Sequence, residues 1–233
     1  MIDITNQPNG MKIMKKFFSI FGTILLLLIA LALIFNEPIK EYAVNYMAEQ
    51  HMSSLTAKKV KANEKKKGQY DFKKVKPISA SQVAKASVKN TAAPIGKMAV
   101  PSVGLYLPIV KGLSDDALST GGGTMKEHEK MGKLNYALAG HYMTQNGALF
   151  SPLENVQLGD LAYITNMKKV YVYKVFYKKI VAPTAVYLLD DDEHKVLLTL
   201  ITCADGGTNR WAIQASLVRT LPANKTTLAT FSK

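Results

Sequence analysis

Between Phe17 and Phe35 the chain reads FFSIFGTILLLLIALALIF, a stretch without a single charge. A run of this length has one low-energy solution. A helix satisfies its own backbone hydrogen bonds, and about 20 apolar residues cross a bilayer's hydrocarbon layer. Residues 17–35 are therefore expected to form a transmembrane signal-anchor. Lys12, Lys15 and Lys16 precede the run, whereas Glu37, Lys40, Glu41 and Glu49 follow it. The positive-inside rule then keeps residues 1–16 in the cytoplasm and places everything after Asn36 outside. A cleaved signal peptide is the competing reading, because Ala30-Leu31-Ala32 resembles a small-residue cleavage site. The apolar run continues past it to Phe35, which favours an uncleaved anchor.

Residues 36–92 read as an extracellular stalk and linker. Ile39, Tyr42, Ala43, Tyr46 and Met47 fall at helical spacing, and Pro38 stands where a helix start tolerates it. Most of the net charge of +13 gathers here, in Lys58, Lys59, Lys61, Lys65, Lys66, Lys67, Lys73, Lys74 and Lys76. The segment from Lys58 to Asn90 carries too few apolar residues to fold by itself. An exported lysine run meets anionic headgroups or wall polymers, or is simply solvated. Nucleic acid is excluded as a partner, because the domain is exported and no nucleic-acid motif is present.

From Ala93 to the C-terminus short apolar segments alternate with Pro, Gly and Asp clusters, the texture of a mainly β domain. Strands are expected at Ile95–Val100, Leu105–Ile109, Tyr136–Gly140, Leu161–Asn166, Val170–Val181, Lys195–Thr202 and Arg210–Val218. Short helices are expected at Asp115–Leu118 and Leu149–Val156.

The chain has one cysteine, Cys203, at the end of the strand-like run VLLTLITC. A lone exported thiol has no disulfide partner, so it is either packed and inert or reactive. Reactivity requires a base or a cation nearby. Of four histidines, only His141 ends a strand-like apolar segment; His128 and His194 sit in polar loops and His51 in the stalk. Arg210 opens the strand after the thiol and is, with Arg219, one of only two arginines among thirty basic residues. Chemistry assigns the roles: Cys203 as nucleophile toward a carbonyl, His141 as proton carrier, and Arg210 as donor to the developing oxyanion. Spacing alone leaves packing and catalysis both open for Cys203.

The segments NYALAGHYM around His141, TLITC ending at Cys203 and NRW containing Arg210 together resemble the signature of class A sortases, the cysteine transpeptidases of Gram-positive bacteria. PSVGLYLPIVKG, LFSPLENVQLGD and VAPTAVYLLD extend the resemblance over roughly Ile95–Val218. It implies an eight-stranded sortase β-barrel over residues 93–233. It also implies that an L-P-x-T-G sorting signal is cleaved between Thr and Gly through a thioester on Cys203. An amine of a peptidoglycan precursor would then resolve the thioester, fixing a surface protein to the cell wall. Ala139, Thr199, Ile201, Thr202, Val186, Leu188 and Leu189 are the expected substrate contacts. No cofactor is implied. Some class A sortases bind calcium through carboxylates at positions comparable to Glu127, Glu129 and Asp191, but Lys126, Lys130 and Lys133 crowd that segment. A hard cation avoids ammonium neighbours, so no calcium requirement is expected.

Asp205 lies in the short loop between Cys203 and Arg210, either near the catalytic region or solvated. Two other classes compete with the sortase reading. A cysteine L,D-transpeptidase would carry its arginine closer to the thiol, where Asp205 stands. A catalytically silent wall- or membrane-binding module would keep its affinity after Cys203→Ala.

Overall fold

The computed structural model describes residues 9–89, 91–143 and 147–232, with side chains from residue 13 onward. Residues 1–8 of the expected cytoplasmic tail and Asn90 at the end of the expected linker lie outside the described residues. The chain divides into two compact units, Met1–Lys40 and Glu41–Lys233. In the first, α1 (Asn9–Ile34) contains the stretch Ile13–Ile34, the one helix among the described residues that is long and apolar enough to cross a membrane. Its 22 residues span about 33 Å at a rise of ~1.5 Å per residue.

In the second unit, eight strands close into a barrel among the described residues: β1 (Pro94–Val100), β2 (Leu105–Val110), β3 (Gly122–Thr124), β4 (Asn135–Ala139), β5 (Leu161–Thr165), β6 (Lys169–Val181), β7 (Leu197–Ala204) and β8 (Asn209–Pro222). Their order around the barrel is β1-β2-β3-β4-β7-β8-β6-β5. The pairs β2·β3 and β4·β7 are parallel and the rest antiparallel. Met98, Ile109, Tyr136, Leu138, Ile164, Tyr173, Leu198 and Ile213 fill the interior.

Seven of these strands coincide with the expected ones to within a few residues; β3 was not expected. Its sequence, Gly122-Gly123-Thr124, lacks the branched and aromatic side chains that mark a strand. Close approach requires the glycines instead. A Cβ on Gly123 would run into the Gly112 carbonyl, and one on Gly122 would come within 2.9 Å of the Phe150 ring. Asp115–Leu118 forms the expected short helix, capped by Ser114 Oγ accepting from Ala117 N–H. The second expected helix is a 3-10 turn at Ser151–Asn155.

The region between anchor and barrel differs most from its sequence reading. It forms α2 (Asn36–Ser54), α3 (Ala57–Asn63) and α4 (Ala80–Lys89). From Glu41 onward it belongs to the same compact unit as the barrel. The segment is too polar to fold alone, yet the few apolar residues it has pack against the barrel. Val44, Met47, Ala48, Val83 and Ala86 join the same cluster as Met98 and Val100, and Met52 packs with Ala99 and Phe231. The buried face of α2 is rotated from the expected one. Val44, Met47, Ala48 and Met52 are buried, whereas Ile39, Tyr42 and Tyr46 are exposed.

Candidate active site

Two strand pairings bring the expected catalytic residues together. In the parallel β4·β7 pair Ala139 lies opposite Ile201, and Gly140 N–H donates to the Ile201 carbonyl at 3.1 Å. His141 therefore leaves β4 beside the end of β7. In the antiparallel β7·β8 pair Cys203 lies directly opposite Arg210. All three residues line one groove of about 240 Å³.

Each is held by its surroundings. Thr202 Oγ1 donates to the Gly140 carbonyl at 2.8 Å, tying the residue before the thiol to the residue before the imidazole. His141 itself is buried, with 8% of its surface exposed. Burial pushes its pKa down to about 4, opposed by the negative charge of Asp115. An imidazole in that environment is neutral at neutral pH and able to accept a proton. Cys203 is half-buried.

The β7–β8 connection turns within a few residues because Asp205, Gly206 and Gly207 take φ values of 51°, 65° and 99° in succession. Glycine adopts the left-handed region at no steric cost. The turn presents the Gly207 and Asn209 carbonyls to Arg210, whose Nη1 donates to both at 2.8 Å. Asp205 belongs to the same turn. Its Oδ2 accepts from Asn209 Nδ2 at 2.7 Å, its side chain is exposed, and it is not among the residues lining the groove.

Of the expected substrate contacts, Ala139, Ile201, Thr202, Val186 and Leu189 line the groove. Thr199 and Leu188 are not among the residues that line it. Thr199 shares the face of Ile201 and Cys203 along β7, but it is fully buried and its Oγ1 donates to Asn135 Oδ1 at 2.7 Å. Leu188 is buried as well, and its carbonyl accepts from Asn135 Nδ2 at 2.8 Å and Gln214 Nε2 at 3.1 Å. Together these two residues anchor the 3-10 turn Val186–Leu189 onto the barrel.

The groove also has walls absent from the sequence reading. Val181, Ala182, Pro183 and Ala185 lead into the 3-10 turn, Leu113, Leu118 and Met125 form its apolar end, and Phe72 and Val75 arrive from the basic segment before the barrel. The motif VAPTAVYLLD signals the first group. No periodicity signals the last pair.

The three carboxylates considered for calcium are otherwise engaged or apart. Asp191 Oδ1 pairs with Lys126 Nζ at 2.5 Å, and the same ammonium donates to the Leu189 carbonyl at 3.1 Å. Glu129 accepts Met125 N–H at 3.2 Å and Ala137 N–H at 2.8 Å through its two oxygens. Burial drives its pKa up to about 8 despite those donors. Glu127 is exposed. Among the described residues no group of three or more His, Cys, Asp or Glu is arranged to hold a metal ion.

The family description "Sortase domain" matches residues 98–218. The chain is 39% identical over 221 residues to Sortase A of Streptococcus agalactiae, covering 90% of each. It is 36% identical over 182 residues to Sortase A of Listeria monocytogenes, covering 77% of this chain and 82% of that one. The crystal structure of the Listeria monocytogenes sortase A superposes with a TM-score of 0.58 at 35% identity, over 60% of this chain and 99% of that chain. With the closed eight-stranded barrel and its one cysteine at the groove, these relationships place the chain in the sortase family, as a class A sortase and a cysteine transpeptidase.

Proposed function

We propose that this membrane-anchored cell-wall sorting transpeptidase cleaves an L-P-x-T-G signal between Thr and Gly and passes the threonyl group to an amine of a peptidoglycan precursor. The observation that carries this reading is the convergence of His141, Cys203 and Arg210 on one groove. In the first half-reaction Cys203 Sγ attacks the threonine carbonyl carbon and its proton passes to His141 Nδ1 or Nε2. Burial keeps the imidazole neutral, so its free ring nitrogen is open to the proton. The carbonyl oxygen becomes an oxyanion. Arg210 has both Nη1 hydrogens committed to backbone carbonyls, which fixes the guanidinium plane. Its Nε and Nη2 hydrogens serve the oxyanion, a contribution of order 10²–10³ in rate for a well-aimed donor. The C–N bond then breaks, His141 returns the proton to the departing glycine amine, and a thioester remains on Cys203.

In the second half-reaction an incoming amine attacks the thioester carbonyl, gives a proton to His141 and displaces the thiolate, which recovers that proton. An amide between the surface protein and the wall precursor results. Anchoring through Ile13–Ile34 favours this transfer over hydrolysis, because enzyme, membrane-retained substrate and lipid-linked acceptor share one surface at high effective concentration. The lysines before the anchor support a cytoplasmic N-terminus and an outside catalytic unit through the positive-inside rule. The reaction needs no calcium, since Lys126 supplies the positive charge at Asp191.

The test is product analysis by mass spectrometry of an L-P-x-T-G peptide incubated with the enzyme. Cleavage after Thr, with ligation only when an amine acceptor is added, supports the reading. Intact peptide across several x residues contradicts it.

A further inference from the structure

The segment joining the helices to the barrel is stitched along one side of β1 and β2. Asn63 Nδ2 donates to the Pro94 carbonyl at 2.9 Å, and Lys111 Nζ donates to the Glu64 carbonyl. Leu113 N–H then donates to the Gln69 carbonyl at 2.6 Å. That contact requires glycine at position 112, which has φ +79° and where a Cβ would lie 2.6 Å from Gln69 N. Beyond Gln69 the Asp71 carboxylate accepts Lys73 N–H at 3.0 Å and caps a 3-10 turn, Phe72–Lys74. This turn delivers Phe72 and Val75 to the groove that holds Cys203.

Their positions are unequal in a useful way. Val75 packs against the buried cluster of Leu113, Leu118, Met125 and Ala137, alongside Leu189 and Ile201. Phe72 leaves 47% of its surface exposed on the groove wall. An aromatic ring kept open in a groove, on a turn that backbone bonds hold in place, is available to a ligand. On β7 Ile201 and Cys203 share a face two residues apart, about 7 Å along the strand. The apolar end that Val75 joins is thus displaced from the thiol by about that distance. In an extended Leu-Pro-x-Thr segment the leucine lies three residues before the scissile carbonyl, about 10 Å away. With its scissile carbonyl at Cys203, an extended signal is thus long enough for its leucine to reach past the Ile201 position to the cluster that Val75 joins.

We infer that Phe72 and Val75, contributed by the basic segment between anchor and barrel, form a wall of the pocket that receives the apolar first residue of the sorting signal. That segment is thereby a specificity element as well as a tether. The inference rests on the sortase reading above and concerns only who builds the pocket.

The test uses the full chain in detergent micelles with two peptides, one carrying L-P-x-T-G and one carrying A-P-x-T-G. In Phe72→Ala the KM for the leucine peptide rises about tenfold, kcat changes little, and the preference for leucine over alanine shrinks by a similar factor, as expected for losing part of a hydrophobic pocket. Phe72→Leu restores most of both. Because Phe72 is exposed, its truncation leaves the melting temperature and the rate of Cys203 alkylation by iodoacetamide at wild-type values. Wild-type turnover with an unchanged KM and preference in Phe72→Ala overturns this inference alone. A melting temperature or alkylation rate that moves with KM also overturns it, by making the role structural. Wild-type protein that cleaves neither peptide overturns the sortase reading and this inference with it.

Discussion

The Thr202 hydroxyl donates to the Gly140 carbonyl at 2.8 Å, so the residue before the thiol holds the residue before the imidazole. Two parallel strands from distant parts of the sequence are locked in register at the point where His141 and Cys203 emerge. The bond is buried, and a buried acceptor left without its donor costs about 1–3 kcal/mol.

Thr202→Val keeps the shape and removes this donor. The expected result is a loss of stability of about 1–2 kcal/mol and a drop in kcat of roughly tenfold or more, since small misplacements of a catalytic pair are expensive. Thr202→Ser retains the donor and recovers most of kcat. Denaturant unfolding and steady-state kinetics on the two variants check this.

Arg210 joins the loop to the reaction. Arg210→Lys keeps the charge but loses the fork that bonds Gly207 and Asn209. The expected kcat falls by about 10²–10³, with the rate of Cys203 alkylation by a neutral reagent nearly unchanged. A KM effect with intact kcat contradicts an oxyanion role.

The buried His141 makes stability depend on pH with a definite sign. Below about pH 6.5 the unfolded chain binds a proton on this imidazole, whereas the folded protein does so only near pH 4. Stability is therefore lost as pH falls through that window, by about 3 kcal/mol in full. Glu129 acts in the opposite sense. With its pKa raised to about 8, the folded protein keeps a proton that the unfolded chain releases, so stability falls as pH rises from about 4.5 to 8. The His141 contribution is isolated by comparing the wild type with His141→Asn. The gap between their unfolding free energies shifts by about 3 kcal/mol from pH 6.5 to pH 4, and NMR titration of His141 gives a midpoint below 5.

The helices before the barrel belong to its folding unit. Met52→Ala, which empties a site against Ala99 and Phe231, is expected to cost about 2–4 kcal/mol. A chain beginning at Glu41 unfolds in one cooperative transition. One beginning at Thr91 loses Val44, Met47 and Val83 from the core and melts at a markedly lower temperature, as differential scanning calorimetry checks.

The three residues that meet at the groove were legible because their signals are local: a thiol closing an apolar strand, a histidine closing another, and an arginine opening the next. The seven ordinary strands were legible through alternation and turn chemistry. What escaped the sequence is tertiary. β3 is built on glycines chosen for close approach to Gly112 and Phe150, a reason invisible to propensity. On α2 the periodicity of Tyr42 and Tyr46 marks a face that the structure leaves exposed, because Val44 and Met52 match the barrel surface instead. Thr199 shares the face of Ile201 and Cys203 on β7 and yet is fully buried with its hydroxyl donating to Asn135. Phe72 and Val75 reach the groove only because Gln69 is bonded to the end of β2.

The most direct test of the account is the intact mass of the wild-type chain, quenched in acid within seconds of mixing with an L-P-x-T-G peptide and no amine acceptor. The account predicts an adduct equal in mass to the peptide through Thr, located on Cys203 by fragmentation, discharged by added amine and absent in Cys203→Ala. Peptide cleavage without any adduct on Cys203, or an adduct that persists in Cys203→Ala, would contradict it.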